Sequence, residues 1–377
     1  MQPAVQEPEE TSQDTTVTEI VSKRHLIHFP AFRTMLRSRL HSADIAIDLG
    51  TCNTLVHRRG EGIVCNEPSL VALRNGSTPT RERVVAIGAA AKPMLGRTPQ
   101  SVTVTRPLSS GAIVDFEIAS AMIRYFTRKG GSRLTALHSR VLIAVPVEIT
   151  SVERHAVLES AKAAGAREVF LVAQPIAAAL GAGLPATDAV GSMVVDIGAG
   201  TTQVAAISMG GIVCSHTSRV AGDKMDEAIV RYMERTHRLQ IGKSRAERMK
   251  IAVSTAGSTN DVDMEITGRD LSGGMPRSVH VSDLEIGEAL ADCIKDVVES
   301  VRLVLERTPP ELVEDIAERG IVLTGGGTLV RGLEDALRNE VKLAVSIVND
   351  PLTAVVNGAG KLLEEPALFN AVIVGSV

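Results

Sequence analysis

The sequence predicts an α/β fold with mixed sheets, assembled from two similar halves. Three observations carry this: a glycine-rich strand–turn–strand unit at residues 192–204, a second unit of the same pattern at residues 45–56, and alternation of short apolar strands with amphipathic helices along most of the 377-residue chain.

Residues 192–204 read SMVVDIGAGTTQV. Met193, Val194 and Val195 have the apolar, β-branched character of a buried strand; Asp196 follows, and Gly198 and Gly200 open a turn before Thr201, Thr202 and a second apolar run. A hairpin tip made almost wholly of backbone brings several N–H groups close to an anion, and a carboxylate at Asp196 suits the water shell of Mg2+. One such hairpin reads equally well as an ordinary glycine turn. Residues 45–56, IAIDLGTCNTLV, repeat the pattern with Asp48, Gly50 and Thr51, and residues 322–327, VLTGGG, again run a strand into glycines. Two halves that each present a phosphate loop can close on a nucleotide from opposite sides, with the bare third loop against a flat ring.

Length and composition suit two domains with a sizeable core: hydrophobic residues make up 44% and charged residues 22% of the chain. A net charge of -4 gives no reason to expect nucleic acid as a partner. Cys52, Cys65, Cys214 and Cys293 are scattered without a C-x-x-C pair, which points to neither a metal site nor a disulfide framework and suits a reducing cytosol. No apolar run approaches the roughly 20 residues of a membrane span, and the N-terminus is too polar for a signal peptide.

In chain order, residues 1–22 are acidic and polar and read as a disordered tail. The next twenty reverse sign with Lys23, Arg24, Arg33, Arg37 and Arg39, and Phe32, Met35, Leu36 and Leu40 recur at helical spacing after Pro30. Such a basic amphipathic helix lies in a membrane interface or docks on its own domain, and periodicity does not separate the two. From Asp44 the first hairpin leads into two strands around a turn at Asn66, Glu67 and Pro68, then a strand with a short helix at residues 89–95, and an amphipathic helix ending at Phe126. Strands at 140–145 and 168–172 alternate with helices at 151–164 and 175–181. Beyond the central hairpin come a strand, a helix from Asp223, and a helix at 245–252 with Glu247 and Lys250 three apart, a spacing that suits a solvated ion pair. A polar stretch at 255–274 suits a small sheet; a long helix at 283–305, a helix at 329–337, a strand at 343–348 and a helix from Leu352 complete the chain.

Taken together, DLGTCNTLV, GIVCNEPSLVA, AKPMLGRTP, RPLSSGAIVDFEIASAMIRYF, GAREVFLVAQPIAAALGAGLP, GSMVVDIGAGTTQVAAIS, VAGDKMDEAIV, AERMKI, RTPPEL, ERGIVLTGGGTLVRGLE and DPLTAVVNGAGK resemble, in order from Asp44 to Lys361, the actin-type ATPases and within them the MreB family of bacterial cell-shape actins. The resemblance implies an actin-like ATPase fold: two similar domains with ribonuclease H-like mixed-sheet cores around a nucleotide cleft. It divides the chain into a segment 1–42, a first domain 43–188 to which 353–377 returns, and a second domain 189–352. It assigns Asp48, Gly50, Thr51, Cys52 and Asn53 to the first phosphate loop, and Asp196, Gly198, Ala199, Gly200, Thr201 and Thr202 to the second. Asp48 and Asp196 flank Mg2+, mostly through water. Glu247 and Lys250 contact ribose and adenine, in place of the solvated ion pair, and Gly325, Gly326 and Gly327 lie under the nucleotide. It further implies ATP as cofactor, homopolymeric double protofilaments, binding to the inner membrane face through residues 24–40, and guidance of wall synthesis with RodZ and wall-elongation proteins.

The chain departs from the family pattern in places. Ala173-Gln174-Pro175 stands where relatives usually read EEP, and GAGTTQ where GGGTTE is usual. Gln174 orients an attacking water but cannot take its proton, so hydrolysis is expected to be slower than in relatives with glutamate. Ala199 is expected to cost roughly 1 kcal/mol if its backbone needs positive φ, and Cys52, at a usual alanine, reads as a small buried thiol. Two other classes compete with the filament. A small-molecule kinase needs a catalytic Asp in an acceptor motif, which the sequence does not offer. A chaperone-type ATPase needs a substrate domain after Lys361, where only about 16 residues follow.

Overall fold

The computed structural model describes residues 44–76, 83–109, 111–131, 140–255 and 263–373. The basic amphipathic stretch at residues 24–40 lies outside them.

Both predicted hairpins form, and each seeds a sheet. The first half contributes β1 (Ile45–Leu49), β2 (Asn53–Arg58), β3 (Gly62–Pro68), β4 (Arg140–Val145) and β5 (Glu168–Ala173). The second contributes β6 (Ser192–Ile197), β7 (Thr202–Ser208), β8 (Gly211–Ser218), β9 (Ile321–Thr324) and β10 (Val345–Ile347). Strand order is β3-β2-β1-β4-β5 in one sheet and β8-β7-β6-β9-β10 in the other, the same order twice. In each, three strands make an antiparallel meander, and the last two add in parallel beside the first. Parallel strands need crossovers, and helices supply them.

Those helices are α1 (Phe116–Gly130), α2 (Ser151–Ala163), α3 (Gln174–Gly181), α4 (Gly222–His237), α5 (Lys243–Thr255), α6 (Asp283–Arg307), α7 (Pro310–Arg319), α8 (Leu333–Val341), α9 (Ala354–Glu364) and α10 (Pro366–Val372). Local chemistry fixes their starts. Asp115 caps α1 through the N–H groups of Glu117 and Ile118, and Thr150/Glu153 and Ser282/Glu285 form reciprocal capping boxes on α2 and α6. On the inner side of α1, Met122, Ile123 and Phe126 are fully buried, each worth about 1.5–3 kcal/mol relative to exposure.

Three cores result. One packs α1 and α2 on the first sheet, and one packs the second-half helices on the second sheet. The third joins the halves: α3 and α9 fill the space between the sheets, against Ala46, Leu142 and Ala144 of the first and Val194, Ala205 and Ile207 of the second. The two helices touch backbone to backbone. A Cβ on Gly181 would run into the Ala354 carbonyl, and one on Gly358 into the Ala177 carbonyl, so glycine alone allows this approach.

Boundaries moved where tertiary contacts intervened. The expected turn at Asn66, Glu67 and Pro68 is strand: Glu67 is buried, bonded to the Lys129 ammonium, the Tyr125 hydroxyl and the Ala89 N–H, and the turn falls at Ser69 and Leu70. The short helix expected at 89–95 is a pair of 3-10 turns, Gly88–Ala90 and Lys92–Met94. The helix expected from Leu329 starts at Leu333, because Gly332 takes a left-handed φ of 82° and closes off the 3-10 turn Gly326–Leu329. The polar stretch at 255–274 does contribute to a small sheet, through the hairpin of Asp263–Asp270 and Pro276–Ser282.

Candidate functional site

Asp48 and Asp196 occupy the same place in their sheets, the penultimate residue of the first strand. Asp48 lies opposite Leu55 on β2 and beside Ala144 on β4; Asp196 lies opposite Gln203 on β7 and beside Thr324 on β9. Burial and then the nearby Asp196 charge push the Asp48 carboxyl up to about 7, against a hydrogen bond from Gln174. Burial pushes Asp196 up to about 6, against a hydrogen bond from the Thr324 hydroxyl at 3.2 Å.

A chain of amides runs between the halves at this point. The Val147 N–H donates to Gln203 Oε1 at 3.1 Å, Gln203 Nε2 donates to Gln174 Oε1 at 2.7 Å, and Gln174 Nε2 donates to Asp48 Oδ1 at 3.2 Å. Gln174 and Gln203, flagged separately as departures from the family pattern, are therefore partners. Two carboxylates at this distance would have to share a proton; two amides satisfy each other as donor and acceptor. Gln174 starts α3, ahead of Pro175, so its side chain sits where the helix leaves the sheet.

Each turn is braced differently. Gly50, Thr51, Cys52 and Asn53 are held down by one residue: the Ser69 hydroxyl donates to the Gly50 carbonyl at 2.6 Å, and the Ser69 N–H to the Cys52 carbonyl at 2.8 Å. Gly198, Ala199 and Gly200 are held by the start of α4, where the N–H groups of Gly222 and Asp223 donate to the carbonyls of Gly198 and Ala199. Thr201 and Thr202 are buried at the start of β7, and the Thr202 hydroxyl donates to the Val220 carbonyl. Ala199 is not among the described non-glycine residues with positive φ, which are Met209, Arg238 and Lys342, so the cost foreseen for alanine does not arise. The third loop passes under Asp196. Gly325 has φ 82°, and a Cβ there would meet the Ile197 carbonyl and the Asp196 carboxylate; Gly326 and Gly327 follow in the 3-10 turn.

Glu247 and Lys250 both lie on α5, but they are not each other's partners. The Lys250 ammonium lies 2.7 Å from Asp226 Oδ1 and donates to the Gly222 carbonyl at 2.8 Å. Burial pushes the Asp226 carboxyl up to about 6 in spite of Lys250, with Glu247 and Asp223 adding to the rise. Cys52 is close enough to feel Arg106, Glu247, Asp223 and Lys92, and burial pushes its thiol up. The first turn, α4 and α5 thus converge.

Sequence reading missed Arg106, Asp223, Asp226, Ser69 and Thr324 as contributors. Their motifs were visible, but each acts through a partner distant in the chain.

The arrangement fits a hard divalent cation. Two buried carboxylates face the same region, and no cationic side chain figures among the influences on either. No group of three or more His, Cys, Asp or Glu exists among the described residues, so phosphate and water oxygens would complete the shell.

Residues 42–371 match the family model described as MreB/Mbl protein. The cell shape-determining protein MreB of Escherichia coli (strain K12) is 48% identical over 327 residues, spanning 86% of this chain and 94% of that relative. MreB5 of Spiroplasma citri bound to ADP superposes with a TM-score of 0.80 at 34% identity, covering 88% of this chain and 98% of the other. The same protein bound to AMPPNP gives a TM-score of 0.80 over 86% and 97%. Among the described residues no helix is long and apolar enough to cross a membrane.

Proposed function

The chain belongs to the MreB/Mbl family and has the actin-like fold, and on that footing we propose that it is an ATP-binding cytoskeletal protein that polymerises into membrane-associated filaments and directs cell-wall synthesis to maintain rod shape. The observation that carries this reading is the convergence of two matching turns, from twin sheets, on the paired carboxylates Asp48 and Asp196.

In this reading Gly50, Thr51, Cys52 and Asn53 take the phosphates from one side and Gly198 to Thr202 from the other, through backbone N–H groups and threonine hydroxyls. Asp48 and Asp196 hold Mg2+ through water; bound there, the ion neutralises charge on the phosphates. Glu247 and Lys250 meet the ribose and adenine, Lys250 through the donor capacity left after Asp226 and Gly222, and Gly325, Gly326 and Gly327 lie beneath. Gln174, oriented by Gln203, positions the attacking water without accepting its proton. Hydrolysis then serves as a slow timer of filament turnover. The basic stretch at residues 24–40 would bring filaments to the inner face of the cell membrane, where RodZ and wall-elongation proteins are the expected partners.

Electron microscopy of the full chain with Mg2+ and ATP tests the reading. Filaments are expected for the native chain and none for Asp196→Ala; filaments and ATPase at native level in that variant would overturn the site.

A further inference from the structure

Arg106 follows the strand Val102–Thr105 in the first half, and Asp223 sits in the first turn of α4 in the second. Arg106 donates through one nitrogen to both oxygens of Asp223, at 2.9 and 3.2 Å, and its other terminal nitrogen lies 3.8 Å from the Cys52 sulfur in the first turn. The Asp223 N–H in turn donates to the Ala199 carbonyl in the second turn, at 2.7 Å. One ion pair therefore ties both candidate phosphate turns to each other, from opposite halves of the molecule. Each side chain is about one-third exposed, 32% and 33%, so the pair stands at the edge of the site with water on one side.

We propose that the Arg106–Asp223 pair is a strap across the mouth of the candidate nucleotide site, which must open before nucleotide is released and re-forms over bound nucleotide. This rests on the nucleotide-site reading above and adds regulation to it. The pair does not need to touch the ligand. It holds the first turn against α4, whereas the helix layer of α3 and α9, the Gln174–Gln203 amides and the Val147 N–H bond to Gln203 join the halves deeper in the molecule. A contact at the outer edge has the longer lever arm for holding the halves closed. Because it is about one-third exposed, its strength is modest and falls with salt. That suits a gate that opens on the time scale of exchange.

The neighbouring charges set the polarity. Glu247 lies within electrostatic reach of Arg106, so Arg106 faces two acids, and Lys92 lies within reach of the neighbouring Cys52. Loss of Arg106 leaves Asp223, Glu247 and Asp226 as neighbouring acids on α4 and α5 of the second half, with Lys250 paired to Asp226 and no tie from the first half to Asp223. Opening follows from the lost tie, and Arg106→Gln also removes the contact to the Cys52 sulfur in the first turn, so it is expected to act more strongly than Asp223→Asn.

The test is release of a fluorescent ATP analogue from the full chain, chased with excess ATP in stopped flow at two ionic strengths. Arg106→Gln and Asp223→Asn are expected to speed release about 2- to 5-fold at low salt. The exchanged pair Arg106→Asp with Asp223→Arg is expected to recover at least half of that loss. Native release should quicken as salt rises from about 0.05 to 0.5 M while the single variants barely respond. Native-like release in both single variants overturns the strap. So does failure of the exchanged pair with binding intact, which would make Arg106 a direct ligand contact. If the native chain itself binds no nucleotide in equilibrium titration, the site reading falls and the strap with it.

Discussion

Asp48 and Asp196 are twins by register, and the residues around them are not. Beside Asp48 the sheet supplies Leu55 and Ala144, both apolar; beside Asp196 the same two places hold Gln203 and Thr324. The second half satisfies its carboxylate from its own sheet, while Asp48 borrows its hydrogen bond from Gln174. Burial raises both, to about 7 at Asp48 and about 6 at Asp196, each against one hydrogen bond, and at Asp48 the Asp196 charge adds to the burial. A duplicated scaffold fixes where two carboxylates stand; their immediate neighbours decide how much each costs to keep charged. The contrast also explains a buried amide. Gln203 is 2% exposed at a place where its twin is a leucine, so the fold does not require a polar group there, and its reason lies in what it reaches.

The largest effect tests whether the halves are alike at all. Gly181 and Gly358 face each other's helices in reciprocal fashion. Alanine ordinarily strengthens a helix interior by up to about 1 kcal/mol relative to glycine. Here the added methyl meets backbone, which cannot swing away, and we expect Gly181→Ala and Gly358→Ala each to destabilise by about 1–3 kcal/mol. Denaturant unfolding of the two variants checks this. A stabilised variant, or one harmed and one indifferent, would show that the crossing is not symmetric.

Next comes the asymmetry itself. Gln203→Leu makes the second half match the first at this register. The Gln174 amide would lose its partner and with it a fixed orientation, so phosphate release is expected to slow about 10-fold while ATP affinity stays within about twofold. Unchanged release in a variant that still binds ATP would reduce Gln203 to a packing residue.

How much of this was legible in the chain depended on range. The Asp-Gly-Thr pattern at Asp48 and at Asp196 located both turns, and the repeat announced twin sheets, because strand period and glycine turns are local signals. Gln174 and Gln203 drew notice only as separate departures, and their contact spans 29 positions. Arg106 and Asp223 stand 117 positions apart, and nothing local in either motif names the other. Glu67 misled for the opposite reason. Beside Asn66 and Pro68 it carries turn chemistry, and the Lys129 ammonium and Tyr125 hydroxyl from α1, with the Ala89 N–H, make a buried strand position tolerable. Lys250 similarly had a local partner in Glu247, three residues away, and took a distant one, Asp226.

The smallest effect comes from one more broken pair. Across from Ala46 on β1 stands His57, and the register twin of His57 is Ala205 on β7. Both positions face the α3 and α9 layer, but only the first half places a titratable ring there, flat against Gly360 of α9. His57 Nδ1 is buried without a hydrogen-bond partner, and burial holds the ring's pKa below its ordinary 6.5, opposed by the charge of Glu364. The folded chain therefore keeps His57 neutral to lower pH than the unfolded chain, which protonates it as pH falls through about 6.5. The unfolded state binds the extra proton, so this residue contributes a loss of stability on acidification and none above about pH 7.5. His57→Phe keeps a ring against Gly360 and removes the titration. Denaturant midpoints at pH 7.5 and 5.5 should fall less for the variant than for the native chain, with Glu364 keeping the difference small. Equal falls would mean that the ring takes up its proton in the folded state, and that the two halves respond to acid alike.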